Sequence, residues 1–201
     1  MSEQDKNLET YRRKRDEKKT PEPVKGKADL DWAPSRPIFV IQKHDASNLH
    51  YDFRIEVEGV LKSWAVPKGP STDPSEKRLA LPTEDHPLAY ANFEGVIPED
   101  EYGGGTVLVW DRGSYRNLKE EEEDDPPSIS QQIKEGHVTL WLQGQKLSGG
   151  YALIRTGSDD DARWLMIKME DEKADARRNP TSTEPDSVIT GRTLDEFREG
   201  R

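Results

Sequence analysis

His44, His50, Asp52 and Arg54 lie close together in the stretch from Ile41 to Ile55, and each is a residue type that can do chemistry. Two histidines and an aspartate form a common ligand set for a catalytic divalent metal, with coordination positions left open. A guanidinium one step further along is well shaped to hold a pair of phosphate oxygens. From Leu49 onward the chain alternates, and in a strand alternate side chains point to opposite faces. Tyr51, Phe53, Ile55 and Val57 share one face, and His50, Asp52 and Arg54 share the other. The wet side of an ordinary half-buried strand carries Lys, Thr or Glu; here it carries imidazole, carboxylate and guanidinium in a row. His44 precedes them across a small polar bend. These residues are the candidate active site.

The elements that must position them read as β-structure. Ile38–Lys43 is the first predicted strand and Leu49–Glu58 the second, and Glu58-Gly59 turns the chain into Val60–Val66. Arg78–Pro82, Gly105–Asp111, Val138–Gln143, Tyr151–Thr156 and Arg163–Met169 follow, each bounded by Gly, Pro, Asp or Ser. Many short strands with little helix indicate an all-β, mainly antiparallel sandwich or barrel. A closed or nearly closed β-barrel is favoured, because its mouth or lumen can hold a ligand set. Residues 37–170 form this domain. Residues 1–36 form an N-terminal arm, disordered over Met1–Lys6, with a short helix over about residues 8–19. Leu8, Tyr11 and Arg15 make one stripe of that helix, and Thr20-Pro-Glu-Pro23 ends it. Val24–Pro37 is a linker or an arm lying on the domain surface. Residues 171–201 are polar and charged, apart from an apolar island at 188–194, and read as a flexible tail.

Composition agrees with one domain plus polar ends: 31% of the 201 residues are hydrophobic and 35% are charged. With no cysteine, disulfides, thiolate metal sites and a cysteine nucleophile are excluded. Met1–Thr20 is charged throughout, unlike a secretory signal, and no apolar run suits a membrane span. The expectation is a soluble cytoplasmic protein. A net charge of −10 argues against nucleic acid at first sight, but six acids lie in the single run Glu120–Asp125. Local charge steers a ligand, so nucleic acid is not excluded. We expect the Asn117–Ile129 loop to be a solvated insertion away from the site.

Two further segments carry candidates. Arg78 to Tyr90 adds His86, fixed beside Pro87, with Glu84 nearby; His86 suits a general acid, a phosphate contact or a ligand. Gly103-Gly-Gly105 lacks the lysine and hydroxyl of a P-loop and precedes a strand, so it reads as a sharp turn. His137, without polar company, reads as surface.

Gln42-Lys-His-Asp-Ala-Ser-Asn-Leu-His-Tyr-Asp-Phe-Arg54, Leu61-Lys-Ser-Trp-Ala-Val-Pro-Lys-Gly-Pro70, Glu84-Asp-His-Pro-Leu88 and Phe93-Glu-Gly-Val-Ile-Pro98 closely resemble the DNA ligase D 3′-phosphoesterase domain family. The likeness spans about Leu8 to Met169. It implies a β-barrel enzyme, dependent on Mn2+ (with Co2+ or Zn2+ as substitutes in a sample), that heals DNA 3′ ends. Such an enzyme removes a 3′-terminal ribonucleoside and then the 3′-phosphate. By the same resemblance His44, His50 and Asp52 are the metal ligands, and Arg54, His86 and Tyr90 hold the scissile phosphate. Arg78, Glu84 and Lys68 match further active-site positions. Arg15, Asp16 and Glu22 match elements of the ribonucleoside-removing step, which replaces the plainer reading of the arm as a solvated helix. Asp100 departs from the family, where a glycine is usual. Ser187–Leu194 is similar to the linker that joins this module to a ligase domain. Implied partners are the 3′ ends of DNA or RNA–DNA primer–templates, a DNA ligase or polymerase, and Ku-type end-joining proteins. A monomer in the prokaryotic cytoplasm, associated with the nucleoid, is expected. A cupin-like metal oxygenase also uses two histidines and a carboxylate in a barrel, and a non-catalytic DNA-end module would keep the barrel; the latter's mark would be a missing ligand, and none is missing.

Overall fold

The computed structural model describes residues 6–24, 28–33, 35, 37–122, 124–157 and 162–200. The expected disorder of Met1–Lys6 falls, for residues 1–5, outside the described residues. Among the described residues nine strands follow in chain order. They are β1 (Ile38–Asp45), β2 (Leu49–Val57), β3 (Val60–Val66), β4 (Lys77–Pro87), β5 (Gly95–Ile97), β6 (Gly105–Asn117), β7 (His137–Gly144), β8 (Ser148–Arg155) and β9 (Trp164–Lys168). The sheet runs β1-β2-β3-β4-β9-β8-β7-β6-β5, and β1 also pairs with β6, which closes eight antiparallel strands into a barrel. The remaining strand, β5, adds to the first half of β6.

The β2–β3 hairpin forms as its sequence dictates. Glu58 and Gly59 have φ of 51° and 83°, the left-handed values that a two-residue turn needs to match the twist of its strands. Val57 therefore faces Val60, and β2 and β3 stay in register from there to Tyr51 and Val66. The lumen is filled. Phe39, Phe53, Trp64, Ala80, Trp110, Leu140, Leu153 and Met166 are buried in one cluster to which all eight barrel strands contribute. A second cluster joins Val40, Leu61 and Val109, on the outward face of the sheet, to Tyr11, Val24 and Tyr90. The arm thus lies on the barrel wall.

Several expectations change. The arm helix, α1, spans Glu9–Arg13 and not residues 8–19. Beyond it Asp16 caps turns, accepting from the amides of Lys18, Lys19 and Thr20, while the Arg15 side chain is drawn into ion pairs. The loop reading of 117–129 gives way to a longer β6 and a short helix α2 (Lys119–Glu122), and α3 (Ile129–Glu135) follows it. Ser128 and Gln131 form a reciprocal capping box on α3 and Gly136 ends it at φ 83°, signals present in the sequence and overlooked.

Residues 171–200 are not a free tail. Glu184 accepts from Trp110 Nε1 at 2.7 Å, Val188 N donates to the Val109 carbonyl at 2.9 Å, and Ser187 bonds Glu94. Helices α4 (Pro180–Thr183) and α5 (Leu194–Arg198) complete the segment, and Leu194 and Phe197 of α5 pack against the lumen cluster. Backbone hydrogen bonds to the barrel hold a stretch whose composition alone suggested solvation. Among the described residues no helix is long and apolar enough to cross a membrane.

Candidate active site

Register places the chemistry. His44 faces His50 across β1 and β2, Gln42 faces Asp52, and Val40 faces Arg54. Residues directly opposite in an antiparallel pair project to the same side, so both histidines, the aspartate and the arginine share one surface. That surface is the outside of the barrel. The expectation of a ligand set in the mouth or lumen is therefore corrected: the lumen is packed with aromatic and aliphatic side chains, and the polar face turns outward. A cavity covers it, lined by His44, His50, Asp52, Arg54, His86 and Tyr90, with Arg15 and Glu22 from the arm.

Asp52 Oδ2 lies 3.4 Å from His44 Nδ1, 3.5 Å from His50 Nε2 and 3.2 Å from Arg54 Nη2. Burial alone would raise the Asp52 pKa, but Arg54 and the two histidines outweigh it and hold the carboxyl well below its usual range. The outer nitrogens of the rings meet carbonyls: His44 Nε2 lies 2.9 Å from Gly103 O, and His50 Nδ1 lies 2.9 Å from Asn48 O. A carbonyl only accepts, so those nitrogens carry protons, and it is the other nitrogen of each ring that turns toward Asp52, as a lone pair when the ring is in its neutral form. One ligand atom from each of the three residues lies within 4.8 Å of the others. Two lone pairs and a carboxylate converging in this way fit a divalent cation, with backbone carbonyls orienting the imidazoles as metal-bound histidines require. Burial would lower the His50 pKa, yet its hydrogen bond and attraction to Asp52 raise it overall; a bound cation would take that proton's place. At Gly105 (φ +140°) a Cβ would run into the Asp45 carbonyl, so glycine lets β6 close on the strand end that carries His44.

Arg54 is locked from three directions. Its Nε donates to Gln42 Oε1 at 2.7 Å, Nη2 reaches Asp52, and Nη1 lies 3.1 Å from His86 Nδ1. A guanidinium has five N–H donors, so two remain for a ligand. His86 is buried, and burial followed by the charges of Arg54 and Arg15 pushes its pKa well below the ordinary value, leaving the ring neutral. The Glu84 carbonyl lies 2.9 Å from the same Nδ1. Tyr90 stands edge-on to His86 with ring centres 4.7 Å apart, and its hydroxyl donates to Glu22 Oε1 at 2.9 Å.

Charge pairs tie the arm to the barrel. Arg15 Nε bonds Glu22 Oε1 at 3.0 Å, Arg15 Nη1 bonds Glu84 Oε1 at 3.1 Å, and the guanidinium covers the Tyr11 ring at 3.7 Å. Thr20 donates to Glu22 Oε2 at 2.8 Å. Lys14 Nζ completes the bridge, 3.2 Å from Glu84 Oε2 and 3.0 Å from the Tyr102 hydroxyl.

Of the residues singled out in the sequence, His44, His50, Asp52, Arg54, Glu84, His86, Tyr90, Arg15 and Glu22 line one cavity. Lys68, Arg78 and Asp16 do not. Lys68 is exposed in the loop after β3, Arg78 pairs with Glu76, and Asp16 serves the turns after α1. His137 is exposed, as expected. Gln42 and Tyr102 were overlooked. Gln42 is a lone amide in an otherwise apolar strand start, and it holds Arg54 while donating to the carbonyls of Tyr90 and Phe93 at 3.0 Å each. Its polarity at that position was a usable signal.

A closed antiparallel barrel with a two-histidine, one-carboxylate cluster beside a buried guanidinium is equipped for metal-assisted chemistry on an anion. Comparison with known proteins makes this particular. The family model of the DNA ligase D 3′-phosphoesterase domain matches residues 42–155, and the chain belongs to that family. It is 48% identical over 192 residues to the multifunctional non-homologous end joining protein LigD of Pseudomonas aeruginosa, covering 94% of this chain and 22% of that protein. It is 47% identical over 172 residues to the multifunctional non-homologous end joining DNA repair protein LigD of Mycobacterium tuberculosis, covering 83% and 20%. With LigD of Mycolicibacterium smegmatis it shares 44% over 169 residues, covering 83% and 21%. The chain spans about a fifth of the length of these curated relatives.

Proposed function

We propose that this chain is a divalent-metal phosphoesterase that heals DNA 3′ ends, removing a 3′-terminal ribonucleoside and then the 3′-phosphate to leave a 3′-hydroxyl. The observation that carries the reading is the convergence of His44, His50 and Asp52 beside Arg54 and neutral His86 in one cavity. His44 Nδ1, His50 Nε2 and an Asp52 oxygen would hold the cation, manganese in our reading. The bound cation supplies charge neutralisation on the phosphate and a water of lowered pKa.

The protein's own groups do the rest. The two unused N–H groups of Arg54 hold a non-bridging oxygen, fixed in aim by Gln42 and Asp52. His86, kept neutral, with Nδ1 held between the Glu84 carbonyl and Arg54 Nη1, is the candidate contact for a second oxygen or the leaving oxygen. Tyr90 closes the wall beside it, its hydroxyl held by Glu22. Arg15, Glu22 and Glu84 recognise the terminal ribose, whose 2′-hydroxyl distinguishes it from deoxyribose. Asp16 assists only by shaping the arm. Lys68 and Arg78 lie outside the cavity, and Arg78 is engaged by Glu76.

The relatives are named as end-joining proteins, so we place this chain in prokaryotic end joining, alongside ligase, polymerase and Ku-type partners at the nucleoid. The deciding experiment is a manganese-dependent assay on a primer–template ending in one 3′ ribonucleotide. Stepwise appearance of a 3′-phosphate end and then a 3′-hydroxyl end is expected. No product from either a ribonucleotide or a 3′-phosphate end would overturn the reading.

A further inference from the structure

Glu84 and Tyr102 do not merely line the catalytic cavity; with Thr83 they separate it from a second, open concavity between the arm helix α1 and β4. Tyr102 is the unusual member of this wall. Its side is 47% exposed, yet its hydroxyl is held by Lys14 Nζ at 3.0 Å and lies 3.3 Å from Glu84 Oε2. The Lys14 ammonium also lies 4.3 Å from the ring centre. An aromatic ring anchored at its polar end and open to solvent is a stacking platform, and every nucleobase has a π-face to offer it.

The charge of the groove narrows the ligand. Glu84 and Asp85 both line it, and each already has a cation: Lys14 and Arg15 for Glu84, Lys62 for Asp85. Of the described residues that line the groove, Lys14 alone is cationic against these two carboxylates, so the lining has no positive surplus to hold a phosphodiester and would repel one. Asn7, Thr10 and Thr83 add neutral hydrogen-bonding groups to the same surface. Such a surface suits a neutral molecule rich in hydroxyls with a flat ring.

We propose that this groove receives the terminal ribonucleoside, with its base stacked on Tyr102 and its ribose hydroxyls turned toward Glu84. The inference rests on the two-step reading above. In the first step the oxygen of water bonds to phosphorus and the P–O5′ bond breaks. The phosphate stays on the DNA, and the 5′-oxygen takes up a proton. The departing nucleoside therefore carries no charge, unlike anything else the enzyme handles, and the groove is matched to it. In the second step no nucleoside is present and the groove stands unused.

The test compares Tyr102→Leu and Tyr102→Phe on two primer–templates, one ending in adenosine and one ending in a ribose that lacks its base. Loss of the ring should raise KM for the adenosine end roughly tenfold, the scale of one base–aromatic stack. Tyr102→Phe keeps the ring and should restore most of that loss. On the baseless end the loss in Tyr102→Leu should be several-fold smaller than on the adenosine end. An equal loss on both ends, or no loss on the adenosine end, would overturn the proposal. Failure of the two-step reading is distinguishable, since it would show in the wild type as phosphate release without nucleoside release. In that event saturation-transfer NMR with free adenosine decides the groove by itself: weaker transfer to Tyr102→Leu supports it, and equal transfer sinks it.

Discussion

Phe53 and Ile55 of β2 point into a lumen that eight strands close completely, whereas Asp52 and Arg54, on the other face of the same strand, lie in a cavity that the strands alone leave open. The lumen is built from neighbours in a continuous hydrogen-bonded ladder and is filled mainly by apolar contacts, which are non-directional. The outer cavity needs directional bonds from distant parts of the chain. Arg15 and Glu22 return from the arm to meet Glu84 and Tyr90, and Gly103 comes from the loop before β6 to orient His44. Stability and chemistry are thus housed on opposite faces of one sheet. Damage to one should spare the other.

The largest effect is expected at the outer face. Asp52→Ala should lower release from both kinds of 3′ end by about 10²–10³-fold or more, with circular dichroism unchanged. Chelation of the divalent metal should do the same to the wild type. Retained activity in the Asp52 variant would remove this face from the chemistry.

At the inner face Leu153→Ala, on the barrel wall away from β2, should destabilise the fold by about 2–5 kcal/mol through lost burial and a cavity. Denaturant melts would show it, while turnover per folded molecule should stay close to wild type. A loss of turnover matching that of Asp52→Ala would mean the two faces are coupled.

Glu22→Ala probes the boundary between barrel and arm. It strips partners from Arg15, Thr20 and the Tyr90 hydroxyl at once. Rates measured on matched ribonucleotide and 3′-phosphate ends should show ribonucleoside removal falling about tenfold further than phosphate removal, the worth of one lost charge-assisted contact. Equal losses would make the arm a support for the fold and nothing more.

The smallest effect is expected where neither face is involved. None of the described acids of Glu120–Asp125 lines the cavity of the candidate site, and Glu121 and Glu122 pair locally with Arg116 and Lys119. Replacing residues 120–125 by a glycine-serine link should change catalysis by about threefold or less, since exposed charges beyond a Debye length are largely screened. A larger loss in a folded variant would make this insertion part of the substrate surface.

Much of the site was legible because its signals are local. Alternation along β2 separates Tyr51, Phe53 and Ile55 from His50, Asp52 and Arg54, and the Glu58-Gly59 turn sets the register of the hairpin. The two-histidine, one-carboxylate set and the family-like motifs around it need no tertiary knowledge. The capping box of α3 was equally local, and its omission was a lapse in reading and no limit of the sequence. The docked C-terminal segment was different. Its polar composition describes solvated side chains, but what holds it is backbone, as in the bonds from Val188 to Val109 and from Trp110 to Glu184, and composition carries no signal for those.

The sequence by itself therefore determined which residues share a face, which of them can ligate a metal, and that the fold is mainly antiparallel β. Only the tertiary structure decided which face turns outward, because alternation divides a strand into two sides without saying which one the closed sheet encloses. It also decided that Arg15 meets Glu84 across 69 positions, that Gln42 aims Arg54, and that Lys68 and Arg78 stay outside the cavity. Those outcomes depend on the β1–β6 closure and the path of the arm over the barrel, long-range contacts whose geometry no short window of residues contains.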